Sequence, residues 1–175
     1  MPDLFSLPME RELPQEVRFI ADAMLGRLAR WLRLLGFDTL YYPHISDSDL
    51  LKFALREERV LLTRDTHFLK MKNLNNLFFV RSEDPLEQVK GVMRTFAVKE
   101  PGPGRCARCN GILGKVEGRD SIKDMVPEYV FLHCSTFLRC EACGSVYWEG
   151  THLRRFRKML DTLFNRSNRE ARGRK

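Results

Sequence analysis

At 175 residues, 43% hydrophobic and 30% charged, the chain can bury one sizeable core, or a core plus a small module. No apolar run approaches the ~20 residues needed to cross a bilayer, and Met1 to Gln15 lacks the apolar stretch of a secretory signal, so a cytoplasmic protein without a membrane partner is expected. A net charge of +7 points to a polyanionic partner, and five cysteines without a signal peptide argue against a disulfide framework.

The first predicted element is an apolar strand, Val17 to Ala21, that runs into Asp22. A helix follows, with Met24, Leu28, Trp31, Leu32 and Leu35 at helical spacing and Gly36 as its stop. Arg27, Arg30 and Arg33 read as a basic stripe on that helix. A short strand, Thr39 to Tyr42, leads to Ser46, the expected N-cap of a second helix that buries Leu50, Leu51, Ala54 and Leu55. The continuous apolar run Val60 to Thr63 is a strand covered on both faces, and Arg64 carries it to Asp65. Leu77 to Val80 and a helix from Pro85 to about Phe96 complete a β-α-β-α-β pattern, which predicts a parallel sheet with right-handed crossovers.

Two strands ending on aspartates place carboxylates at the rim where open α/β sheets bind ligands. A hard divalent cation, Mg²⁺ or Mn²⁺, takes such oxygen ligands. Between the two acids lies Ser46-Asp47-Ser48-Asp49. With Ser46 as N-cap, Asp49 falls where it can close a capping box onto the Ser46 amide, which leaves Asp47 freer to face a metal. Asp22, Asp47 and Asp65 are thus the candidate catalytic ligands, with Asp49 in reserve. Asp38 and Asp84 read first as turn or cap residues. Thr63 is placed to orient Asp65. His44, His67, His133 and His152 are scattered, and neither a nucleophile triad nor a phosphate-binding glycine loop occurs.

Glu100-Pro101-Gly102-Pro103-Gly104 reads as a linker. Beyond it stand two Cys-x-x-Cys pairs, Cys106/Cys109 and Cys140/Cys143. Each pair puts two thiolates on one turn, and two facing turns make a closed tetrahedral zinc site with a structural rather than catalytic role. Asn110-Gly111 and Gly144 follow their pairs, as such turns require. Cys134 reads as a small core residue, and His133 as a weaker substitute ligand. Tyr129–Leu132 and Ser145–Trp148 read as strand-like. A basic helix from His152 to about Leu163 carries Arg154, Arg155, Arg157 and Lys158, and 164–175 reads as a disordered basic tail. The expected domains are 17–99, 103–163 with the C-terminal helix, and that tail.

Phe19-Ile20-Ala21-Asp22-Ala23-Met24-Leu25-Gly26-Arg27-Leu28-Ala29-Arg30-Trp31-Leu32-Arg33-Leu34-Leu35-Gly36-Phe37-Asp38 resembles the opening motif of the Mut7-C RNase family. Arg59-Val60-Leu61-Leu62-Thr63-Arg64-Asp65 is similar to its second motif. The cysteine quartet followed by Val146-Tyr147-Trp148-Glu149-Gly150-Thr151-His152 is similar to its last. The resemblance implies a PIN-like α/β/α nuclease domain joined to a zinc ribbon. It also implies a metal-dependent ribonuclease in which Asp22 matches the family's first acid, Asp65 its strand-end acid, and Asp47, with Asp49 as the alternative, the middle one. Arg27, Arg30 and the C-terminal basic helix would hold RNA. The competing expectation is a non-catalytic RNA-binding or ribosome-associated zinc-ribbon protein. A toxin-like nuclease with an inhibiting protein partner, and a homodimer, are further expectations the residues leave open.

Overall fold

β1 (Phe19–Ala21) lies inside a four-stranded parallel sheet of order β2-β1-β3-β4, with β2 at Thr39–Tyr41, β3 at Val60–Thr63 and β4 at Leu77–Phe79. The computed structural model describes residues 17–71, 74, 76–96, 104–148, 150 and 158. Apart from Lys158, the expected basic helix and tail lie outside the described residues. Helix α1 (Gly26–Leu34) carries the chain from β1 to β2, α2 (Asp47–Arg56) from β2 to β3, and α3 (Pro85–Thr95) follows β4. In register, Ala21 is opposite both Tyr41 and Leu62. The ends of the three strands therefore reach one rim together.

Alternation along β1 feeds two cores. Ile20 packs with Leu61, Leu50, Ala54 and Phe68. Phe19, pointing the other way, meets Phe37 and Phe96 edge-on at 5.5 and 5.2 Å, and α1 packs against α3. The result is a mixed α/β unit with a parallel sheet buried on both faces, as the apolar strands required. This compact unit runs on to Asn110, and a second begins at Gly111.

Three details differ from the sequence reading. Residues Ala23–Leu25 form a 3₁₀ turn before α1, which shifts the helical phase, so Leu25 is buried and Met24 is 59% exposed. In α2 the buried positions are Leu50 and Ala54, while Leu55 faces solvent. Arg33, expected on a surface stripe, is only 4% exposed.

The second unit holds an antiparallel sheet β5-β6-β7, at Leu113–Lys115, Phe137–Cys140 and Val146–Trp148. Ile122, Val126 and Phe137 form its centre, with Val116, Val130, Phe131, Cys134, Val146 and Trp148 against them. The Arg119 guanidinium lies over the Phe131 ring at 4.8 Å. The stretch Tyr129–Leu132, read as strand-like, is part of helix α4 (Glu128–His133). Its inward residues Val130, Phe131 and Cys134 are spaced one and three apart, which is a helical stripe and not a strand's alternation.

Candidate active site and metal centre

Asp22 emerges from β1 between its two neighbours. Its amide donates to the Leu62 carbonyl (3.0 Å), and the Thr63 hydroxyl donates to Asp22 Oδ2 (2.7 Å). The same Thr63 oxygen accepts the Asp65 amide (3.0 Å). Asp65 Oδ1 in turn accepts from the His67 amide (2.8 Å). One hydroxyl at the end of β3 thus ties the two strand-end acids together. Thr63 was expected to orient Asp65; the structure aims its hydroxyl at the Asp22 carboxylate and gives Asp65 only a backbone contact, the Asp65 carboxylate being held by His67. Asp22 is buried at 8% exposure and Asp65 is half-buried. In each, one carboxylate oxygen is engaged and the other accepts no hydrogen bond among the described residues.

Asp47 and Asp49 open α2, which topology places after the same end of β2. Ser46 Oγ accepts the Asp49 amide at 3.2 Å and donates to Asp49 Oδ2 at 2.8 Å. The expected box is therefore closed through the Ser46 hydroxyl instead of its amide. Lys52 Nζ adds a contact to Asp49 Oδ1 (2.9 Å). The Lys52 ammonium, with the Ser46 hydroxyl, holds the Asp49 carboxyl below its ordinary pKa. Asp49 is accordingly occupied with its helix, whereas Asp47 is exposed and makes no side-chain hydrogen bond among the described residues.

Asp38 and Asp84 are structural. Asp84 Oδ1 caps α3 by accepting the Leu86 and Glu87 amides, both at 2.9 Å. Asp38 accepts from Arg59 at 2.8 and 3.2 Å and from Asn110 Nδ2 at 2.7 Å. Burial works against its charge, but the hydrogen bonds from Arg59 and Asn110 outweigh that and leave its pKa lowered. Arg27 and Arg30 are exposed on α1 and Lys158 is exposed. Arg154, Arg155 and Arg157 lie outside the described residues. Arg33 instead serves the first cysteine turn, donating to the Thr39 carbonyl (2.8 Å) and to the carbonyls of Ala107 and Arg108 (3.0 and 3.1 Å).

The ligand atoms of Cys106, Cys109, Cys140 and Cys143 all lie within 4.8 Å of one another. Sulfurs on one tetrahedral Zn²⁺ with bonds of ~2.3 Å would sit about 3.8 Å apart, so the donor set fits. The two turns are built alike. The Asn110 amide donates to the Cys106 carbonyl and the Gly144 amide to the Cys140 carbonyl, at 2.8 and 2.9 Å. Asn110 and Gly144 have φ of 71° and 72°, the left-handed conformation that favours Gly and is tolerated by Asn. The Cys109 amide approaches Cys106 Sγ at 3.4 Å, the kind of contact that stabilises a thiolate. Cys134 and His133 stay apart from this cluster: Cys134, partly buried, packs against the core, and the exposed His133 ring stacks on Tyr129 at 4.1 Å.

Among the described residues, this quartet is the one group of three or more His, Cys, Asp or Glu side chains whose ligand atoms converge. The rim acids are brought to one sheet edge without being drawn into such a cluster. Sequence reasoning missed Asn110 as more than a turn residue. Its side-chain Oδ1 also accepts the Thr39 amide at 3.0 Å, and only its place directly after the second cysteine hints at that role. No described helix is long and apolar enough to cross a membrane.

No curated protein and no solved structure matches this chain. A family model described as the Mut7-C RNAse domain matches residues 17–160. Those bounds take in the Asp22 turn, the β3 acid and all four cysteines, so the chain belongs to the Mut7-C RNase domain family.

Proposed function

We propose that the protein is a metal-dependent ribonuclease of PIN-like architecture with a structural zinc ribbon. The observation that carries this reading is the Thr63 hydroxyl joining Asp22 and Asp65. Two acids tied at a strand-end rim, each with an uncommitted oxygen, suit a hard cation, and Asp47 at the start of α2 would complete the ligand set. Mg²⁺ or Mn²⁺, when bound, supplies positive charge that acidifies a coordinated water and stabilises developing charge on a phosphodiester oxygen. Around it the chain's own residues fix geometry. Thr63 and the backbone of β3 hold Asp22, the His67 amide holds Asp65, and exposed Arg27 and Arg30 would hold the RNA backbone. The C-terminal basic residues Arg154, Arg155, Arg157 and Lys158 would extend that grip. Phosphate contacts of this kind give affinity without sequence choice.

A second reading, an RNA-binding zinc-ribbon protein without catalysis, is favoured by the rim acids not converging as the cysteines do. One experiment separates the two. End-labelled single-stranded RNA is incubated with purified protein and Mn²⁺ or Mg²⁺, beside an Asp22→Asn, Asp65→Asn variant. The nuclease reading expects metal-dependent cutting that the variant loses, by at least about 100-fold, with RNA affinity kept. RNA binding by both proteins with no cutting by either would establish the binder instead.

A further inference from the structure

Tyr41 is the last residue of β2 and lies opposite Ala21 in the parallel register. Its hydroxyl donates to the carbonyl of Ala23 at 3.0 Å, one residue beyond Asp22. Its ring covers the start of α1 so closely that a Cβ at Gly26 would sit 2.5 Å from Tyr41 Oη and 2.7 Å from Cζ. Real Cβ atoms do not tolerate such distances, so Gly26 is the residue that admits the phenol. The turn carrying Asp22 is therefore held from both neighbouring strands, by Leu62 and Thr63 on β3 and by Tyr41 on β2. Apart from the Leu25 amide, which donates to the Asp22 carbonyl, no side chain caps the 3₁₀ turn itself.

We infer that Tyr41 is a positioning residue for Asp22: its phenol, seated on Gly26, fixes the Ala23–Met24 peptide one residue past Asp22, and so would hold the turn that aims the free Asp22 carboxylate oxygen toward a cation. This rests on the nuclease reading above, because it is the Asp22 metal site that Tyr41 would serve. The inward phenol has no other evident duty, since burying a ring at this place would be done equally well by phenylalanine. Outer partners that orient metal ligands typically change metal affinity by 10–100-fold when removed, whereas a purely structural hydrogen bond changes stability alone.

The test uses the zinc-loaded full chain and follows Mn²⁺ binding by electron paramagnetic resonance, with thermal melting in parallel. Tyr41→Phe keeps the ring and removes only the hydroxyl. It is expected to weaken Mn²⁺ binding by about 10-fold, with a melting temperature within a few degrees of wild type. Gly26→Ala, which displaces the ring, should weaken binding at least as much. Combining Gly26→Ala with Tyr41→Leu, which removes the overlap but not the defect, should not restore it. If the wild type binds Mn²⁺ in a manner lost in Asp22→Asn, yet Tyr41→Phe binds equally well, the positioning role is overturned and the nuclease reading stands. If the wild type binds no Mn²⁺, the metal-dependent reading falls and takes this inference with it.

Discussion

Arg59 is 5% exposed, and its guanidinium is shared among Asp38, Glu57 and the Phe19 carbonyl. A charge taken that far from water is tolerated only when its donors are used. Asp38 supplies two of the contacts and, through Asn110, links them to the first cysteine turn. Replacing Asp38 by Asn removes one partner of a buried pair, which costs on the order of 3 kcal/mol, measured by urea denaturation at neutral pH. The pH dependence carries a sign. Because the folded pKa of Asp38 lies below its ordinary value of 3.8, its contribution is present above that value and is lost as pH falls through the folded pKa. Stability of the wild type should therefore decline below about pH 4, and Asp38→Asn should show a shallower decline. An identical acid limb in both proteins would place the loss in other carboxylates.

At the scale of the element, α2 shows how a short motif closes the first turn of a helix. Ser46 caps it, and Asp49 is bound to that cap and to Lys52. Ser46→Ala should cost ~1 kcal/mol, read as a lower urea midpoint with unchanged slope. A change under about 0.3 kcal/mol would mean that Asp49 alone suffices to satisfy the first turn. The strands and the three main helices of the sheet unit were legible from their apolar periods, which in α2 and α3 agree with their side-chain caps. Legibility failed where the phase slipped or where a side chain did two things. Met24 moved outward because the chain begins with a 3₁₀ turn, whose period differs from 3.6. Arg33 belongs to the stripe that holds Leu28, Ala29 and Leu32. Its position four residues after Ala29 puts it on that buried stripe, but an arginine is rarely buried without partners. Those partners, the carbonyls of Ala107 and Arg108, lie more than 70 residues away, and nothing local could announce them. In α4, β-favouring residues masked the Val130, Phe131 and Cys134 stripe.

On the scale of the whole molecule, the cysteine quartet was fully legible, because ligand spacing is a local property. How close the rim carboxylates come to one another was not, because it depends on side-chain rotamers, and among the described residues they do not converge. Residues of the first cysteine turn are wired into the sheet unit through Arg33, Thr39 and Asp38. Metal removal should consequently be felt beyond the sulfurs. Treatment with a strong chelator is expected to release one zinc per chain, lower the melting temperature by several degrees and speed hydrogen exchange at the Thr39 amide. Release of zinc with unchanged protection of Thr39 would show that the turn holds its shape without the ion.

The Thr39 amide has a further significance because β2 is the outer strand of the parallel sheet. An open strand edge is a template for another polypeptide, and proteins blunt it with a covering group. Here the cover is Asn110, whose amide oxygen takes the hydrogen bond that a neighbouring strand would otherwise accept. A fragment ended at the Pro-Gly stretch would retain all four strands and all three rim helices. It would also leave that donor unmet and the Arg33 guanidinium without its two distant carbonyls. Such a fragment is expected to pair with a second copy along β2, so the first cysteine turn would also guard the sheet against misassembly.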